Sequence, residues 1–262
     1  MEDVNYKKWK SLQSHWDDDD FLKTLTPLMK LRYRRLDEKV AEIFEDSFKK
    51  LSGKPFLLDF GCGRAEFAAF LSEKWKGNSN NQRDVWNYLG IEPSAEQLKQ
   101  RDIPQMGMGF LQATAEQIPL QDMVAHGVLM KEAIDHCYDP AKVFSEAKRL
   151  LKSGGNFVVT VTNDKSYFKR LFPFVNNARK AHQNDHLNFF GPNELKALAS
   201  GAKFDRVSVE TYNYLKLPKV LERVLGLLGP GVCRGLLNIT DAIGKILLPG
   251  MGGGVVLVAK KK

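Results

Sequence analysis

The chain has 262 residues, 43% of them hydrophobic, and a formal net charge of +8. That size and composition fit one α/β domain with additions, and no apolar run reaches the ~18 residues a membrane span takes. Cys62, Cys137 and Cys233 are scattered and odd in number, with no Cys-x-x-Cys pair, which argues against a disulfide framework and the usual zinc sites. The first twenty residues are polar and end in Asp17–Asp20, so no secretory signal is expected and the expected setting is a reducing cytoplasm. The positive charge is diffuse and reads as solvation; nucleic acid is an open but unfavoured partner.

Residues 1–52 read as a helical extension that caps something. Tyr6, Trp9, Trp16 and Phe21 stand among charges, and Leu31, Leu36, Val40, Ile43, Phe44 and Phe48 recur at helical spacing between Leu28 and Phe48. Asp17–Asp20 read as a solvated helix start. Ser52 to Pro55 break the helix and open the main domain, 53–262. Phe56 to Phe60 form a first buried strand. Gly61 and Gly63 permit a sharp turn, and Ala65, Phe67, Ala68 and Leu71 begin a helix.

A polar loop follows at Gly77–Asn81. A second strand, Tyr88–Ile91, ends at Glu92-Pro93-Ser94, with Ser94 capping the next helix. Further strands are predicted near Met108–Gln112, Gly127–Met130, Phe157–Val161, Arg206–Tyr212 and Gly254–Ala259. Helices are predicted from Asp139-Pro140 to Leu151, ahead of a turn at Ser153–Gly155, and over Asn193–Ser200. Between strands six and seven, residues 215–249 form a charge-poor helical insert broken by Gly226, Gly229, Pro230 and Gly231. It reads first as a hairpin on the sheet edge, and second as a lid over a lipidic substrate or a helix pair at a membrane. Alternating strands and helices give a mostly parallel sheet with helices on both faces, which binds its ligand at the strand C-terminal ends.

The turn Asp59-x-Gly61-x-Gly63-x-Ala65 selects among ligands. A phosphate loop needs a Lys-Ser or Lys-Thr that is missing. The dinucleotide fingerprint needs a third glycine where Glu66 stands, and that carboxylate would repel a pyrophosphate. A cationic ligand without a phosphate chain fits Asp59 better, and S-adenosylmethionine (SAM) is such a ligand.

LLDFGCGRAEF, YLGIEPS, ATAEQIPLQD, LMKEAIDHCYDPAKVFSEAKRLLKSGGNFVV and DHLNFFGPNELKALASGAKFDRVSVE, together spanning roughly 56–212, resemble the class I SAM-dependent methyltransferases. The nearest subgroup is type 11. The resemblance implies a Rossmann-like seven-stranded sheet whose last strand is antiparallel and lies beside strand five. It implies that Asp59, Gly61, Cys62 and Gly63 flank the methionine end of SAM. Glu92, with Pro93, would take the ribose hydroxyls, Thr114, Ala115 and Glu116 would border the adenine, and Lys131 would stand at the site's edge. Three departures are visible: Ala65 replaces a frequent glycine, Thr114 replaces a frequent aspartate, and His126 replaces an aspartate at the start of strand four. His126 reads as structural.

Methyl transfer is an in-line displacement, so positioning supplies much of the catalysis and a base is needed only for some acceptors. His136, just past strand four, and His186, with Asp185 as its orienting partner, are the candidate bases. His182 and His186 have helical metal-ligand spacing but no third ligand, so no metal is expected. Tyr167 and Lys131 are further candidate substrate contacts. The expected function is SAM-dependent methylation of a small-molecule or a lipid- or sugar-linked acceptor, with peripheral membrane contact left open. RNA or protein methylation, or SAM binding without turnover, are the alternatives. Lys131-Glu132-Ala133 occupies the place where amine-directed enzymes carry Asn-Pro-Pro-Tyr or Asp-Pro-Pro-Tyr.

Overall fold

The computed structural model describes residues 4–17, 25–76, 86–99, 108–171 and 186–262. The strands are β1 (Phe56–Phe60), β2 (Asn87–Glu92), β3 (Met108–Gln112), β4 (Ala125–Lys131), β5 (Leu151–Thr162), β6 (Arg206–Tyr212) and β7 (Gly254–Lys260). They form one seven-stranded sheet in the order β3-β2-β1-β4-β5-β7-β6. β7 runs antiparallel to both β5 and β6, and the other pairs are parallel. The chain order reverses at β1, so the crevice above β1 and β4 is where such a sheet binds ligands.

The helices are α1 (Val4–Asp17), α2 (Pro27–Phe48), α3 (Glu66–Lys76), α4 (Ala95–Lys99), α5 (Pro140–Leu150), α6 (Tyr167–Leu171), α7 (Pro192–Gly201), α8 (Lys219–Gly226) and α9 (Pro230–Leu247). Their starts are written in the sequence. Thr26 accepts from Met29 N–H ahead of Pro27, and Asp139 accepts from Lys142 N–H ahead of Pro140. Ser94 accepts from Gln97 N–H at 3.0 Å.

The sheet separates two apolar clusters. One joins Leu58, Phe60, Val128 and Phe157 to Phe144 and Ala147 of α5 and Leu195 of α7. The other joins Leu57, Tyr88 and Leu129 to Val40, Phe44 and Phe48 of α2 and Phe67 and Leu71 of α3. α2 approaches the sheet closely because Gly127 of β4 has no side chain. A Cβ there would lie 2.6 Å from Phe44 Cε1 and 3.0 Å from Phe48 Cζ. Gly127→Ala is therefore expected to overpack this contact, cost about 1–3 kcal/mol and lower the melting temperature by several degrees in a thermal unfolding scan.

Three local expectations are corrected. Ser153–Gly155 is not a turn ahead of the fifth strand but lies within β5. Its pairing jumps from Ala125–Leu151 to Gly127–Asn156, a bulge that Gly154 accommodates at φ +81°. Leu151 accordingly belongs to β5 and not to the preceding helix. Ala65 does not start α3 but precedes it at φ +65°, a left-handed conformation suited to glycine.

His126 bridges strands: Phe56 N–H donates to its Nδ1 at 3.0 Å. Burial, followed by the charge of Lys152, holds its pKa below the usual histidine value, which keeps that nitrogen free to accept. α8 and α9 pack mainly against α2. Leu28 joins Cys233 and Leu237, with Leu31, Leu215 and Leu225 at the margin. The polar loop at Gly77–Asn81, and Phe21 and Asp18–Asp20, lie outside the described residues. No described helix is long and apolar enough to cross a membrane.

Candidate functional site

Parallel pairing places the ends of β1, β2, β3 and β4 side by side. Gly61 and Gly63 turn the chain after β1 at φ +67° and +54°. A Cβ on Gly61 would lie 2.7 Å from Ala133 Cβ, so the turn sits tight against the loop after β4. Gly61 and Cys62 N–H donate to Ile91 O at 2.8 and 3.1 Å. Glu92, buried at the end of β2, accepts from Gly63 N–H at 3.0 Å through Oε2 and from Ser94 N–H at 2.9 Å through Oε1.

Asp59 lies under the turn and accepts from Tyr88 O–H at 2.5 Å. Burial pushes its pKa up to about 7, against the downward pull of the Tyr88 hydrogen bond and of Lys131. Lys131, at the end of β4, pairs with Asp37 of α2 at 2.7 Å, and both side chains are largely buried. Asp37 is the partner that sequence reasoning missed, because it lies on the N-terminal extension.

Thr114, Ala115 and Glu116 follow β3. The Thr114 hydroxyl interacts with the side chains of Glu116 and Tyr138. Glu116 is buried and accepts from Tyr138 and Asp139 N–H at 3.0 and 3.4 Å, which fixes the loop after β4. Burial raises its pKa, and these backbone bonds oppose that. Pro93 O accepts from Gln112 Nε2–H at 3.1 Å. The Tyr167 hydroxyl donates to Tyr214 O, away from this loop.

The loop after β4 brings together the two histidines expected as candidate bases. Asp135 and His136 stand on one turn of 3₁₀ helix, Ile134–His136. Leu187 and Asn188 N–H both donate to Asp135 O, at 2.9 and 3.0 Å, strapping residues 186–188 across it. That strap brings His186 Nδ1 to 2.5 Å from Asp135 Oδ2, and its ring stacks on His136 with centroids 4.7 Å apart. Asp135 Oδ1 is buried without a hydrogen-bond partner among the described residues, 3.9 Å from His136 Nε2. Burial pushes the Asp135 carboxyl up, but the His186 hydrogen bond and the nearby imidazoles outweigh it and hold the pKa below the usual value.

Ligating atoms of Asp135, His136 and His186 lie within 4.8 Å of one another. The direct Asp135–His186 hydrogen bond nevertheless commits Nδ1 as a donor and marks a carboxylate–imidazole dyad. Asp185, expected to orient His186, and His182 lie outside the described residues. Glu132, which sequence reasoning also passed over, accepts from Tyr212 O–H at 3.2 Å and Thr162 O–H at 3.3 Å, and burial raises its pKa. Its place directly after the central strand β4 was the available signal. From the other side, Tyr6 and Trp9 of α1 pack edge-on against Tyr138, at 5.3 and 5.7 Å between centroids.

A sequence profile of type 11, described as a methyltransferase domain, matches residues 58–159. The ubiquinone biosynthesis O-methyltransferase of Nitrosomonas europaea is 24% identical over 83% of this chain and 88% of its own length. These matches support a class I SAM-dependent methyltransferase of the type 11 kind. A second relative, the ubiquinone biosynthesis O-methyltransferase of Pseudomonas aeruginosa, is 29% identical over 76% of this methyltransferase and 82% of its own length. The fold matches the crystal structure of geranyl diphosphate C-methyltransferase from Streptomyces coelicolor, solved with Mg2+, geranyl diphosphate and S-adenosyl-L-homocysteine. That match has a TM-score of 0.60 at 16% identity and covers 97% of this chain and 98% of that one. The cofactor of this methyltransferase is SAM.

Proposed function

We propose that the enzyme methylates a hydroxyl oxygen on a small organic acceptor, free or linked to a lipid or sugar, with His186 as general base. The observation that carries this reading is the Asp135–His186 dyad on the loop after β4. Asp135 accepts the hydrogen bond from Nδ1–H, which leaves the basic lone pair of the neutral ring on Nε2. His186 takes the acceptor proton as the oxygen attacks, and the Asp135 carboxylate stabilises the resulting imidazolium. Two relatives named as O-methyltransferases support oxygen as the target. His136, stacked on His186, positions that ring.

SAM supplies the methyl group on a sulfonium, which is already a good leaving group. The residues present fit it. The glycine turn presents backbone close to the ligand, Asp59 offers a buried carboxyl to a cation, and Glu92, at the end of β2 beside that turn, carries two carboxylate oxygens suited to a pair of ribose hydroxyls. Cys62, Pro93 and Lys131 line the same edge, and Thr114, Ala115 and Glu116 border the adenine. α1 and its aromatic pair cover the acceptor side beside Tyr138.

Two measurements test this reading. Incubation with deuteriomethyl SAM and panels of phenols, quinols, sugars and amines, read by mass spectrometry, should label hydroxyl acceptors. Labelling of amines alone, or of RNA or protein alone, would overturn it, as would SAM binding with no labelled product on any panel. The second uses Asp59. A cation beside this carboxyl favours its ionised form, so binding should lower its pKa from about 7. SAM affinity should then rise as pH rises through that value. Calorimetry in two buffers of different ionisation enthalpy should show release of up to about half a proton per site near pH 7. Asp59→Asn should abolish the release, and a wild-type titration with no proton release would remove Asp59 from the cofactor site.

A further inference from the structure

We infer that α8, its link to α9 and the outer face of α9 dock on an anionic lipid bilayer. α8 is turned inside out. Its buried residue is Glu222, 4% exposed, while Val220, Leu221 and Val224 face solvent at 50–69%. The stripe continues through Leu227, 85% exposed, into Val232, Ile239, Ile243 and Ile246 of α9, the last at 79%. On α9 these residues are spaced so as to share one helix face. The opposite face, Cys233, Leu237, Asp241 and Gly244, is buried. Most of the strongly exposed large apolar side chains among the described residues fall in this one segment, and a contiguous patch of that kind marks an interaction surface.

Charge decides the occupant. Both acids of residues 215–249 point inward. Glu222 pairs with Arg32 at 2.6 Å and accepts from Thr26 O–H, and Asp241 pairs with Arg35 at 3.0 Å and accepts from Tyr214 N–H. The exposed charges of the segment are all basic: Lys219, Arg223, Arg234 and Lys245. Arg234 and Lys245 are held along the flank by Glu38 and Glu210. That leaves Lys219 and Arg223 of α8, for which no ion pair is seen among the described residues, beside the apolar stripe, and such a stripe with exposed cations and no exposed acid of its own is complementary to acyl chains beneath acidic headgroups. A second copy placed face to face would set cations against cations with no exposed acid in the segment to pair them. The surface is independent of the base assignment, so His186→Ala should bind vesicles like the wild type.

The test is cosedimentation of the full chain with phosphatidylcholine vesicles, with and without about 30% phosphatidylglycerol. Wild type should bind the anionic vesicles, and added salt should weaken the binding. Leu227→Asp with Ile246→Asp should reduce binding at least about tenfold, with SAM titration unchanged to show that the fold is intact. Lys219→Glu with Arg223→Glu should remove the preference for anionic vesicles. Failure of the wild type to bind, no preference for the anionic vesicles, or equal binding by the Asp variant would overturn the inference. So would a wild-type dimer that the Asp variant splits, which would assign the face to a second copy.

Discussion

Replacing His186 by alanine is expected to lower kcat about 10²–10⁴-fold, the usual contribution of a positioned general base, while SAM affinity stays within about twofold. The low-pH limb of the rate profile should vanish with it, since that limb reports deprotonation of the base. Added imidazole should restore part of the rate. Asp135→Asn should lower kcat as well, because an amide can hold the ring but cannot stabilise the charge formed on it. Steady-state rates across pH, with SAM affinity measured in parallel, separate these effects from misfolding. Unchanged kcat in His186→Ala would leave positioning alone as the source of catalysis.

Glu92→Ala is expected to weaken SAM binding by about 1.5–3 kcal/mol, the range for hydrogen bonds to a charged group, or roughly 10–150-fold in Kd. The structure makes this variant do two things. It removes the acceptors proposed for the ribose, and it releases the Gly63 and Ser94 amides that the carboxylate holds. Glu92→Gln separates them, because the amide keeps one acceptor for the backbone and loses the charge. Calorimetric titration should place Gln between wild type and Ala. Unchanged affinity in Glu92→Ala would exclude ribose binding by this residue.

The sheet was legible because its signals are local. Apolar runs such as Leu57–Phe60 and Phe157–Val161 end at glycine, proline or a capping residue, and the order of β7 followed from the resemblance. The positions of Gly61, Gly63 and Glu92 at strand ends came with those strands. The dyad was not legible, because its members are 51 residues apart and only the strap over Asp135 O brings them together. The sequence offered His186 a nearer carboxylate in Asp185. Lys131 and Asp37 are further apart still, on a strand and on a helix that read as an extension. The orientation of the insert's helices was not legible for a different reason. Amphipathic spacing says which residues share a face, and not which face points inward. Arg32 and Arg35 on α2 pull Glu222 and Asp241 inside and leave the greasy side out.

The place of β7 between β5 and β6 has a consequence for how the nascent chain matures. β6 leaves the ribosome before the insert, and its only neighbour in the sheet among the described residues is made after the insert. At usual rates of synthesis, translating the insert takes about 2–7 s. For that interval β6 holds an unpaired edge and the apolar helices of the insert are exposed beside it. This is the window in which a chaperone has most to protect, and slow codons ahead of β7 should lower the yield of native enzyme more than slow codons ahead of β2.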